Sequence, residues 1–190
     1  VYYLKNEWIG IDPAVKASLD FLASRLPGEF GVQGRTLDDT KWIIGNDPLT
    51  APSKVYLYDR PAGTLTELYT SRPELVGAPL QTMHPVEIPA RDGLTLPSYL
   101  TLPPGSDPDG DGVPSAATPM VLLVHGGPWA RDGFGFNRAH QWLANRGYAV
   151  LSVNFRGSTG FGKEFVNAGN LEWAGKMHDD LIDAVNWAIE

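Results

Sequence analysis

Apolar residues along the chain change their spacing twice. Val15, Leu19, Leu22 and Leu26 recur at helical intervals, which predicts an amphipathic helix. Asp12 reads as its N-cap and Pro13 as its first helical position, while Pro27-Gly28 ends it. Upstream, Leu4 to Gly10 reads as a short strand-like piece, and Val1 to Lys5 reads as strand interior and not as a signal peptide. From Glu29 the period shortens. Phe30 to Gly34, Lys41 to Gly45, Lys54 to Tyr58 and Thr64 to Tyr69 are short strand-like runs. Asp38-Asp39, Asn46-Asp47-Pro48 and Arg60-Pro61-Ala62-Gly63 separate them as turns.

Four short antiparallel strands within about forty residues match one blade of a β-propeller. A blade needs neighbours to cover its faces. Ser71 to Pro85 is irregular and reads as a linker. Pro85 to Pro89 and Leu94 to Leu102 then predict a hairpin around Arg91-Asp92-Gly93. Met120 to Val124 and Tyr148 to Val153 are continuous apolar runs, expected of strands buried on both faces. A helix over Asn137 to Arg146, closed by Gly147, lies between them. A second helix over His178 to Glu190 places Leu181, Val185 and Ile189 on one stripe. Strand, helix, strand, helix predicts parallel pairing. The expected division is therefore 1–82, mostly β, and 83–190, α/β. The chain ends within a helix, which reads as a truncation.

Composition narrows the function. The 190 residues are 43% hydrophobic and 19% charged, ordinary for a globular protein. A net charge of −7 without a basic run gives no footprint for nucleic acid. No apolar run has the length of a membrane span. The absence of cysteine removes disulfides, thiol catalysis and Cys-based zinc sites. Compartment and oligomeric state stay open.

Three segments carry candidate chemistry. His125-Gly126-Gly127-Pro128 follows a predicted buried strand, where ligands of open α/β sheets collect. Two glycines let the backbone turn its N–H groups toward a substrate, and Pro128 keeps Gly127 out of helical angles. An N–H held there can stabilise an oxyanion, although a tight turn that merely needs glycine gives the same pattern. Trp129, next in the chain, is a candidate pocket wall; the remaining tryptophans read as core. Asn154 to Gly162 is a glycine-rich loop whose Arg156 can pair with a substrate carboxylate or brace the loop, with bracing expected; Ser158 lacks the glycine two residues earlier that a nucleophile elbow needs. Asp107, Asp109, Asp111 and Gly112 resemble half a calcium loop, but the twelfth position is Thr118, so an acidic turn is expected and no metal. Among the histidines, His125 is expected to shape the glycine loop, and His140 and His178 to lie on the surface or in helix packing. No histidine follows Asp179, Asp180 or Asp183, so the chain holds no triad in the order Ser, acid, His.

Taken together, Ala90-Arg91-Asp92-Gly93-Leu94, Val121 to Pro128, Asn154 to Gly162 and Trp173-Ala174-Gly175 resemble the prolyl oligopeptidase family of serine peptidases, family S9, in its acylaminoacyl-peptidase-like branch. The resemblance implies the last blade of a β-propeller followed by the N-terminal part of an α/β-hydrolase domain. It implies hydrolysis of short peptides through an acyl-enzyme, without a cofactor. It assigns the Gly127 N–H to the oxyanion hole and a structural role to Arg156, with His125, Gly126 and Pro128 shaping the loop. It puts the nucleophile, acid and His beyond Glu190, so this segment alone is expected to be inactive. An esterase or lipase of the same fold, or a non-catalytic interaction module, are the competing readings; Pro128, where esterases often carry a third glycine, and the blade upstream favour the peptidase.

Overall fold

The computed structural model describes residues 3–190. Val1 and Tyr2, the start of the predicted first strand, lie outside the described residues. Tyr3 to Lys5 form bends, and the stretch to Gly10 contains only an isolated bridge at Asn6, so the strand expected there does not form. The chain divides into two compact units. One comprises Asn6–Leu80 with Gly135–Asn137, and the other Gln81–Phe134 and Arg138–Glu190 with Tyr3–Lys5.

The first unit opens with α1 (Pro13–Arg25), where the Asp12 carboxylate accepts from the Ala14 and Val15 N–H groups at 2.8 and 3.0 Å. That satisfies donors left open by the first helical turn. Strands β1 (Glu29–Arg35), β2 (Lys41–Asp47), β3 (Lys54–Asp59) and β4 (Thr64–Thr70) form an antiparallel meander in sequence order. Alternation along β2 buries Trp42, Ile44 and Asn46. Trp42 and Ile44 meet Leu19, Leu22 and Leu26 of the helix and its cap in one core. Asn46 is buried because its Nδ2 donates to the Pro27 and Glu29 carbonyls, at 2.7 and 3.0 Å.

After a 3-10 turn at Pro73–Leu75, the second unit begins with the hairpin β5 (Met83–Pro89) and β6 (Thr95–Thr101). Then follow β7 (Met120–Leu123), α2 (Arg138–Ala144), β8 (Ala149–Val153), α3 (Lys163–Asn167) and α4 (Lys176–Ile189). The sheet order is β5-β6-β8-β7. β8 runs antiparallel to β6 and parallel to β7, with Met120 opposite Ala149 and Leu123 opposite Ser152. Because β7 and β8 are parallel, the loops after them leave the sheet at the same edge.

β8 is buried at every position, but β7 is only half-buried, contrary to the expectation of burial on both faces. β7 is the outermost strand of this sheet, and a strand with one neighbour shields less of its surface. The core joins Ile88, Leu96, Leu100, Leu151, Val153 and Phe165. The buried positions of α4 are Met177, Asp180 and Ala184, with Leu181 packed at their flank; Ile189 is 77% exposed. The apolar stripe predicted for this helix is thus rotated, because its inner face carries a buried carboxylate.

Candidate functional site

His125-Gly126-Gly127-Pro128 lies at the carboxyl end of β7, with Gly126 and Gly127 exposed. Gly127 has φ +136°, and a Cβ there would sit 2.7 Å from the Trp129 nitrogen, so only glycine fits without strain. Its N–H has no acceptor among the described residues, while the neighbouring turn is closed by the Ala130 N–H donating to the Pro128 carbonyl at 2.8 Å. An exposed, unspent amide is free to bind a ligand oxygen.

Four hydrogen bonds fasten this loop to the one after β8: His125 to Ser158 Oγ at 2.9 Å, the Thr159 N–H to the Ala130 carbonyl at 2.9 Å, the Asp132 N–H to Asn154 Oδ1 at 2.8 Å, and Asn154 Nδ2 to the Asp132 carbonyl at 3.3 Å. Ser158 is fully buried, its hydroxyl donating to the Phe155 carbonyl at 2.6 Å and its oxygen 2.9 Å from His125 Nε2. Committed on both sides, it is not poised as a nucleophile. The His125 ring also stacks on Phe155, with centroids 4.7 Å apart. Asn154 is buried, its Nδ2 donating to the Pro97 carbonyl at 2.9 Å, which ties the second loop to β6.

Arg156 is buried between two carboxylates. Its guanidinium donates to Asp180 at 2.6 and 2.9 Å and to both oxygens of Asp92 at 2.9 and 3.0 Å. Its main-chain N–H donates to Asp180 as well, at 2.9 Å. The hydrogen bonds from Arg156 hold the Asp92 carboxyl well below the usual carboxylate range, and the two carboxylates push the Arg156 guanidinium up. The hairpin turn is bound to α4 a second time, through Arg91 with Asp179 and Asp183. Sequence reasoning identified Arg156 as a brace but missed Asp92 and Asp180. Asp92 reads as an ordinary turn residue, and one aspartate of an Asp-Asp pair gives no sign of being the buried one.

Gly127, Pro128, Phe155, Trp173, Ala174 and Met177 line an open concavity of about 300 Å³. Trp129, the predicted wall, is not among these residues. It is 59% exposed, and its ring lies 6.1 Å from that of Trp173, centroid to centroid. Trp8, Trp142 and Trp173 are exposed too; of the tryptophans expected in the core, Trp42 is buried and Trp187 packs half-buried against the core of the second unit.

Of the surface and helix-packing roles expected of it, His140 takes packing, of α2 against the sheet. It is fully buried, its ring nitrogens 2.9 Å from Thr101 Oγ1 and 2.8 Å from Ser152 Oγ, and burial pushes its pKa down to about 4. A histidine in a polar stretch of helix carries no sequence signal for this bond to the sheet beneath. His178 is exposed. Asp132 carries a buried carboxyl oxygen without a hydrogen-bond partner among the described residues, and burial pushes its pKa up. Asp107, Asp109 and Asp111 cluster within 4.8 Å, but Asp107 spends its oxygens on the Gly110, Asp111 and Gly112 N–H groups of its own turn.

Residues 134–190 match the sequence model of the prolyl oligopeptidase family. The chain belongs to that family. Along its whole length this prolyl oligopeptidase family chain is 60% identical to dipeptidyl aminopeptidase BIII of Pseudoxanthomonas mexicana, of which it covers 28%. It is 39% identical to dipeptidyl peptidase family member 6 of Caenorhabditis elegans, over 98% of this chain and 27% of that protein. The chain thus spans little more than a quarter of these relatives. The acylaminoacyl peptidase of Pyrococcus horikoshii superposes with a TM-score of 0.63 at 23% identity, covering 84% of this chain and 24% of that one. That likeness is one of fold.

Proposed function

We propose that this chain is the stretch of a serine peptidase that joins the end of a β-propeller, residues 1–82, to the start of an α/β-hydrolase domain, residues 83–190. The meander of β1 to β4 and the mixed sheet of β5 to β8 support that division. The parent protein hydrolyses short peptides through an acyl-enzyme, and the Gly127 N–H donates to the oxyanion of the tetrahedral intermediate. The observation that carries this reading is the exposed Gly127 amide without an acceptor among the described residues, at the carboxyl end of β7, on a loop held by four hydrogen bonds. Negative charge that develops on a carbonyl oxygen is stabilised most by donors already fixed in place.

The finer reading is release of dipeptides from a free amino terminus, favoured by the names of the two relatives that match nearly the whole chain. The test compares the full-length parent protein on dipeptidyl anilides, on the same compounds with the amino group acylated, and on short acyl esters. Turnover of the free dipeptidyl anilides with loss on acylation is expected. Preference for acylated substrates would move the reading to an acylaminoacyl peptidase. Ester turnover without any anilide cleavage would overturn the peptidase reading.

A further inference from the structure

We propose that Asp92 and Asp180, acting through Arg156, are positioning residues for the Gly127 amide; this rests on the peptidase reading above. The glycine loop makes its fastenings to the stretch 154–159, so its position is inherited from that stretch. Arg156 sits in the middle of it. The Asp180 carboxylate binds both the main-chain N–H and the side chain of this one residue, fixing where the loop starts and how it is oriented. Asp92, brought from the β5–β6 turn, holds the other edge of the same guanidinium. With one carboxylate removed, the buried guanidinium keeps its charge but loses one of its two partners, and it must turn to find another. Two residues further on, Ser158 would carry that turn to His125 and the glycines.

Asp92 gives the decisive variant, because its side chain is 36% exposed and its loss spares the buried Asp180 pair. Asp92→Asn, Asp92→Glu and Asp180→Asn are to be made in the full-length protein and assayed on its peptide substrate. Each is also titrated with a peptide aldehyde, whose adduct places an oxyanion at the Gly127 amide, and with the matching peptide whose terminal carbonyl is reduced to a methylene, which places no oxygen there. For Asp92→Asn a fall in kcat of about 5- to 20-fold with KM within about twofold is expected. Aldehyde affinity should fall in parallel, affinity for the reduced analogue should hold, and Asp92→Glu should recover most of the loss. A loss that appears in KM, or a loss of kcat with aldehyde affinity intact, would overturn the proposal, as would a wild-type-like Asp92→Asn. Should Asp180→Asn fail to fold, the Asp92 pair decides alone. A wild-type protein inactive on every peptide substrate would instead sink the peptidase reading, and the positioning role with it.

Discussion

Gly127 shows how one residue type can be dictated from two sides. Its φ of +136° disfavours any side chain, and the space a Cβ would need is taken by the Trp129 nitrogen at 2.7 Å. Gly127→Ala in the full-length enzyme should therefore displace the loop amide and lower kcat by about 10²- to 10³-fold, the usual loss for one oxyanion donor. Steady-state kinetics together with a thermal melt check this; the melt should change far less than the rate. His140 makes a different demand. Its folded pKa of about 4 lies below the ordinary 6.5, so the folded state favours the neutral ring. The associated stability is complete above about pH 6.5 and is lost as the pH falls toward about 4, by up to about 3 kcal/mol. Unfolding followed between pH 7 and pH 4 should show the decline in the wild type and a much flatter course in His140→Gln.

At the scale of elements, what was legible in the sequence was what local chemistry decides. Asp12 before Pro13 marks the start of α1, and the structure has the cap. Asp12→Ala should cost about 1 kcal/mol, read as a lower urea midpoint, with Asp12→Ser recovering most of it. The four short strands of the first unit were also legible, because turn residues bound each one. Elements whose pattern is overridden by a distant partner were not. α4 carries Leu181, Val185 and Ile189 on one stripe, yet Asp180 faces inward because Arg156 waits there. α3 is only five residues long and left no periodic trace. β7 has the composition of a central strand, but its burial depends on the number of neighbours, which its own residues do not encode.

For the whole molecule, acid should act in two stages. The first is the loss from His140 between about pH 6.5 and pH 4. The second begins below the ordinary carboxylate range near pH 4. There Asp92, bound by Arg156, and Asp183, bound by Arg91, have pKa values held down in the folded state. Their contribution is present above that range and disappears as they are forced to take protons. Stability curves measured in steps from pH 8 to pH 2 should bend twice. A single transition confined below pH 4 would remove the histidine from this account. The candidate site was half legible on the same scale. Two glycine-rich loops announced it, because backbone geometry selects glycine locally. The carboxylates that brace it lie 64 and 24 positions from Arg156, and nothing local marks them.

The loop after β7 and the loop after β8 share their hydrogen bonds, so neither can drift in shape or sequence by itself. Evolution and the engineer face the same unit of exchange. A chimera that takes residues 125–132 from one relative and 154–159 from another joins halves that were never fitted to each other, whereas the two segments moved together travel as a cassette.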